Sequence, residues 1–78
     1  MERNEYILLC QKASIIQDKQ QKEKYSVLLN GIEYFPYCYA MMFDKKGSAL
    51  NVAILQDKKT DSIATCLIEQ VERKEKND

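Results

Sequence analysis

The dipeptide Asn30-Gly31 constrains the fold of this chain more than any other feature of its sequence. It separates two short apolar runs, and Asn-Gly between such runs is the strongest short-range signal for a type I′ hairpin turn, because both turn positions need a positive φ. The turn predicts three facing pairs, which are Leu29 with Ile32, Val27 with Tyr34, and Tyr25 with Pro36. Because side chains alternate along a strand, all six are expected on one side of the hairpin.

A second hairpin is predicted around Asp44-Lys45-Lys46-Gly47, which has the composition of a tight turn. Pro36 cannot donate to a strand ladder, so we expect a stop or bend there before a strand resumes at Tyr37. On one face, Cys38, Ala40 and Met42 lie opposite Ile54, Val52 and Leu50, and this wholly apolar face is the predicted core. The other face sets Tyr37, Tyr39, Met41 and Phe43 against Leu55, Ala53, Asn51 and Ala49.

The flanking segments are predicted from periodicity. Apolar residues at helical spacing indicate a helix over residues 5–16, capped by Asn4. Residues 17–24 hold no apolar side chain and are interpreted as a charged linker. Residues 63–71 fit either a helix or a strand, and the β-branched residues favour the strand. Residues 72–78 are expected to form a charged, frayed tail.

Together these elements predict a single α+β domain over residues 1–78. Its order is an N-terminal helix in residues 1–16, a linker in 17–24, an antiparallel β meander of four or five strands in 25–71, and a tail in 72–78. Short strands with regular turn signals favour a meander that packs on the helix or curls into a small barrel comparable with the SH3 type.

Charge and cysteine content narrow the classes of function. Twelve basic and twelve acidic residues cancel, so no basic stripe marks a nucleic-acid surface. The chain has three widely spaced cysteines, Cys10, Cys38 and Cys66, and no histidine. This pattern is not a disulfide framework and is a poor zinc site, so we expect reduced, metal-free thiols in a cytoplasmic protein, with Cys38 protected in the core. Neither a signal peptide nor a membrane span is predicted.

The residue inventory argues against an enzyme. Without histidine there is no Ser-His or Cys-His nucleophile pair. The only glycines, Gly31 and Gly47, are accounted for by turns, so no phosphate-binding glycine loop is available. The expectation is therefore a non-catalytic protein without a cofactor or a metal.

An aromatic row is the one feature that points to a binding role. Alternate aromatic residues on a sheet face form a platform for a peptide or for unpaired bases. The candidate partner-binding residues are Tyr37, Tyr39, Met41, Phe43, Lys45 and Lys46. The alternative is that the N-terminal helix covers this face. We expect Tyr39 to be covered, because it faces the small Ala53, and Tyr37 to be exposed beside Pro36.

The neutral, aromatic and methionine-containing surface favours a small cytoplasmic interaction module that binds a protein through this sheet face or through a strand edge, or that self-associates. A single-stranded nucleic-acid binder that uses the same aromatics with Lys45, Lys46, Lys58 and Lys59 is the second hypothesis. The small size and balanced charge also fit an accessory protein of a bacterium, a phage or another mobile element, of unknown activity.

Overall fold

The computed structural model describes residues 1–74. The chain begins with helix α1 (Arg3–Ser14), followed by the short helix α2 (Lys19–Lys22) and a 3₁₀ turn (Glu23–Tyr25). Five strands complete the fold: β1 (Val27–Leu29), β2 (Ile32–Phe43), β3 (Ala49–Asp57), β4 (Ile63–Leu67) and β5 (Glu72–Arg73), with a second 3₁₀ turn (Ile68–Gln70) between β4 and β5. The predicted α+β class, with a helix followed by an antiparallel meander, is confirmed.

The five strands form one sheet in the order β4-β3-β2-β1-β5. On a flat sheet, strands spaced about 4.8 Å apart would put β4 and β5 about 19 Å from each other. The link from Leu67 to Glu72 contains a 3₁₀ turn, whose short rise limits its reach to about 13 Å. The sheet must therefore curl to bring its two edges near each other. It does not close into a barrel, so the SH3-type comparison does not extend beyond the element order.

Helix α1 packs against the inner face of the curled sheet. Tyr6, Leu9 and Cys10 pack into one buried cluster with residues of the sheet and of the β4–β5 connection, which are Val27, Ala53, Leu55, Ile68 and Val71. The amino group of Met1 donates hydrogen bonds to the carbonyls of Ile68 (3.3 Å) and Val71 (2.9 Å). The start of the helix is thus tied to the segment that joins the two sheet edges.

The first hairpin forms as its turn predicts. Asn30 has φ 53° and Gly31 has φ 79°, so both turn positions are in the left-handed region that a type I′ turn requires. Leu29 pairs with Ile32, and Val27 pairs with Tyr34. The expected pair of Tyr25 with Pro36 is wrong, because β1 begins at Val27 and Tyr25 belongs to the preceding 3₁₀ turn.

Several segment boundaries differ from the sequence prediction. Helix α1 begins at Arg3 after Glu2, so Asn4 lies inside the helix and is not its cap. The linker contains α2, where the Asp18 carboxylate accepts a hydrogen bond from the backbone N–H of Gln20. These differences arise because capping signals mark only the neighbourhood of a helix end.

The end of the chain is more ordered than its composition suggested. Residues 63–71 follow the strand prediction as far as Leu67 and then form a 3₁₀ turn. The expectation of a frayed tail is wrong for Glu72 and Arg73, which pair with Leu28 and Val27 as β5. For residues 75–78 the same expectation lies outside the described residues.

Candidate interaction surface

Strand β2 is longer than the strands beside it. Its partner β1 covers only positions 32–34 of β2, and β4 covers only positions 52–56 of β3. From Cys38 to Phe43, β3 is therefore the only strand that pairs with β2 among the described residues, and beyond Ala40 and Val52 the hairpin also extends past β4. We call residues 38–43 and 49–51, with the turn between them, the distal hairpin.

A β-bulge at Tyr37 separates the two halves of β2. Pro36 pairs with Leu55 and Cys38 pairs with Ile54, so Tyr37 is the extra residue. The expected pair of Tyr37 with Leu55 is therefore wrong. Below the bulge, the predicted register of the second hairpin is confirmed, from Cys38 with Ile54 to Phe43 with Ala49. Pro36 favours the irregularity because it has no N–H to donate.

The hydrogen-bond pattern shows which backbone groups of β2 face outward. The N–H of Asp44 donates to the carbonyl of Ser48 at 3.0 Å, so Asp44 bonds toward β3. Residues of an antiparallel strand bond alternately to its two sides. The N–H and C=O of Tyr39, Met41 and Phe43 therefore point away from β3, to the open edge. No hydrogen bond occupies these groups among residues 1–74.

On the helix side of the distal hairpin, α1 covers Tyr39 and leaves the rest uncovered. The Tyr39 ring packs beside the core, and the Arg3 guanidinium lies 4.9 Å from the ring centre and donates to the Tyr39 hydroxyl at 2.7 Å. Met41 and Phe43, on the same face, are 47% and 66% exposed, and Tyr37 at the bulge is 54% exposed. The predicted split, with Tyr39 covered and Tyr37 exposed, is confirmed.

The opposite face was predicted to be the core, and this prediction is wrong. Cys38, Ala40, Leu50, Val52 and Ile54 are only half-buried, and Met42 is 56% exposed. The core instead contains Ala53 and Leu55, on the helix side. Both faces of this hairpin are apolar, so side-chain alternation cannot tell which face the helix covers. The register shift at Tyr37 decides it, because it places Tyr39 and Ala53 on the same face as Pro36 and Leu55, against α1.

Lys45 and Lys46 lie at the tip of the distal hairpin. The Asp44 carboxylate caps the turn by accepting from the backbone N–H groups of Lys46 and Ser48, each at 2.9 Å, and Gly47 has φ 82°. Neither lysine side chain takes part in an ion pair within the described part of the chain. The structure thus brings the candidate residues together on the distal hairpin and its bulge, where α1 partly covers Tyr39.

The paired charges lie at the other end of β2. Glu33 accepts hydrogen bonds from Lys58 and Lys74, with the Lys74 contact at 2.8 Å, and Glu23 lies 3.4 Å from Lys58. The lysine hydrogen bonds, that of Lys58 first, hold the pKa of Glu33 below its usual range. Lys58 and Lys59, which belong to the nucleic-acid hypothesis, follow the C-terminal end of β3. They therefore lie at the opposite end of this strand from the distal hairpin. Their separation removes them from the candidate surface.

The three cysteines are free. Cys10 is buried beside Tyr6, and burial raises the pKa of its thiol to about 11. Cys38 is only half-buried, so its expected protection in the core is wrong, and Cys66 is half-buried with a raised pKa caused by desolvation. A raised pKa keeps a thiol protonated and weakly nucleophilic at neutral pH, so Cys10 and Cys66 are poor nucleophiles. Within residues 1–74, no group of three or more potential metal-ligating side chains comes together.

The sequence predicted binding through a strand edge but did not show which strand, and in the structure it is the outer edge of β2 that is open. The sequence signal for this edge is a difference in length between the two strands of the first hairpin. The first strand is cut short by the polar linker before it, whereas the second runs without interruption from Ile32 to Phe43. A long strand beside a short one must leave part of its edge unpaired.

Comparison with known proteins gives no relative from which a function can be carried over. No protein-family model, curated protein or solved structure matches the chain. Among the described residues, no helix has the length and apolar character needed to cross a membrane.

Proposed function

We propose that this protein is a small non-catalytic interaction module that binds a protein partner through the distal hairpin. The observation that supports the proposal is the run of residues 37–43, which contains no charged residue, proline or glycine. Natural sheet proteins protect exposed strand edges with lysine, proline or an early strand end. A β-bulge is a further protection. Here such features are found at one end of the run, in Pro36 and the Tyr37 bulge, and at the other end, in Asp44.

The exposed side chains fit a protein partner. Tyr37, Met41, Met42 and Phe43 each expose about half or more of their surface. Aromatic residues and methionine are enriched at the centres of protein interfaces, whereas charged residues are depleted there. An extended segment of a partner can add to the open edge through main-chain hydrogen bonds and place alternate side chains against this surface.

A capture experiment with a matched control tests the proposal. The tagged protein is compared with a Met41→Ser/Phe43→Ser variant and with Leu8→Ser, which removes an exposed apolar side chain (49% exposed) from α1 instead. We expect the wild type and Leu8→Ser to retain the same bound protein in high salt, and the double variant to lose it. Equal capture by all three proteins would refute the assignment of the surface.

The same variants test the nucleic-acid alternative. Lys45 and Lys46 are free of ion pairs in residues 1–74 and adjoin the exposed Phe43, which is the arrangement a single-strand binder needs. A labelled oligonucleotide is titrated against the protein at several salt concentrations. Tight binding that weakens steeply with salt and is abolished by Lys45→Ala/Lys46→Ala would replace the protein-binding proposal, because phosphate contacts release counterions.

A further inference from the structure

We infer that the partner at the distal hairpin is a second copy of this chain, joined by antiparallel pairing of the two outer edges of β2 about a two-fold axis at Met41. This inference rests on the proposed function and names its partner. It begins from the outward backbone groups of Tyr39, Met41 and Phe43, which find no acceptor or donor among residues 1–74.

The edge is complementary to itself. With the axis at Met41, Tyr39 of one copy lies opposite Phe43 of the other, and the two Met41 residues face each other. All three outward-bonding residues of each copy are then paired, which gives about six main-chain hydrogen bonds, since hydrogen-bonded pairs exchange two bonds each. Because the paired residues share the helix-side face in both copies, the aromatic rings lie directly across from each other, an arrangement that favours strand pairing.

Electrostatics favours a second copy over a charged partner. The run that meets itself has no charged side chain, so the two-fold brings no like charges opposite one another. The twelve basic and twelve acidic residues leave no net charge to repel two copies. The ion pairs of Glu33 lie at the other end of β2 and do not enter the contact.

The geometry limits the assembly to a dimer. A two-fold contact uses the same edge of both copies, so no second β2 edge is left to extend the chain of subunits. The Tyr37 bulge and the Asp44 turn bound the strip, which prevents longer pairing. Interfaces carry roughly one hydrogen bond per 100–200 Å², so six bonds correspond to about 600–1,200 Å² of buried surface. That area is below the standard size of stable interfaces, in the range of weak, transient complexes, and predicts a dimer that dissociates on dilution.

A cysteine crosslink tests the position of the axis. In a Cys38→Ser/Cys66→Ser background, Met41→Cys is oxidised with diamide, which takes one hydrogen from each of the two thiols as one S–S bond forms. Directly hydrogen-bonded residues have Cα atoms about 5.5 Å apart, within the range that a disulfide spans. We expect rapid covalent dimer from Met41→Cys. Ala49→Cys, exposed at the same tip but on β3, is the control and should form no covalent dimer. Faster crosslinking of Ala49→Cys would overturn the assignment of the edge.

A proline substitution tests whether the edge holds the dimer. The N–H of Met41 points outward, so Met41→Pro removes one dimer bond from each copy, two of the six, and no bond to β3, a position where a strand tolerates proline. In sedimentation experiments we expect the wild type to shift from monomer to dimer with concentration, and folded Met41→Pro to stay monomeric. Leu8→Ser, the control, should dimerise as the wild type does. A folded Met41→Pro that still dimerises would refute the edge contact.

Other outcomes separate this inference from the proposed function. A wild type that is monomeric at all concentrations, yet captures a different protein through the distal hairpin, would refute the dimer and leave the interaction module in place. Dimerisation that is abolished by Met42→Ser/Val52→Ser but not by Met41→Pro would move the contact to the opposite sheet face. Oligomers that grow without limit would contradict the closed two-fold arrangement.

Discussion

Tyr6→Phe tests how helix α1 is fixed to the sheet. Tyr6 is completely buried, and its hydroxyl donates to the carbonyl of Ile54 at 2.7 Å, beside the register shift in β2–β3. Phenylalanine keeps the ring and its packing but leaves that carbonyl without this donor. Because the Ile54 carbonyl stays in the β2–β3 ladder opposite Cys38, losing the Tyr6 hydrogen bond costs about 0.5–1.5 kcal/mol. For a domain of this size each kcal/mol lowers the melting temperature by about 4–8 °C, so a clear decrease is expected.

The measurement is thermal unfolding followed by circular dichroism, with Tyr37→Phe as the matched control. Tyr37 is 54% exposed, and its hydroxyl has no hydrogen-bond partner among residues 1–74. Its variant should unfold within about 0.5 kcal/mol of the wild type. Burial raises the pKa of Tyr6 above its usual value, so the phenol stays a neutral donor and the difference should persist at mildly alkaline pH. Equal melting temperatures for Tyr6→Phe and the wild type would refute an anchoring role for the hydroxyl.

Three further predictions concern the turn, the thiols and the charges. Gly31→Val should lower stability by about 1–3 kcal/mol, since φ 79° strains a β-branched residue; an unchanged urea midpoint would contradict the strain argument. Native thiol labelling should modify half-buried Cys66 well before buried Cys10, and the reverse order would contradict the assigned burial. Glu33→Gln should remove less than about 1 kcal/mol at neutral pH, as expected for a largely solvated pair. Because the hydrogen bond from Lys58 lowers the pKa of Glu33, its contribution is complete above the unfolded-state pKa and is lost as the pH falls through the folded-state pKa. The gap between wild type and variant should therefore close in acid, and a gap that widens there would contradict the pairing.

Short-range chemistry explains which parts of the fold were predictable. The Asn30-Gly31 turn and the register below the Tyr37 bulge depend on residues that are neighbours in sequence or that face each other across a tight turn. The Tyr37 bulge shifts by one residue which side chains of β2 face the helix. In the sequence, only Pro36, which favours the bulge, could be recognised. The candidate residues Met41 and Phe43 were predicted on the face opposite the core, whereas they lie on the helix side, and their exposure depends on how far α1 extends over the sheet.

Thus the amino-acid sequence by itself determined the helix-then-meander order, the two turns and the apolar run at residues 37–43, because periodicity and turn conformation are local properties. Tertiary structure alone decided which face of the second hairpin becomes the core and which edge stays open. Both faces are apolar, so neither is distinguished until α1 docks, ties Met1 to the β4–β5 connection and places Tyr6 against Ile54. The open edge of β2 follows from strand lengths that long-range pairing sets. Strand β5 pairs with β1, which is distant in sequence, whereas no described strand pairs with the outer edge at the end of β2.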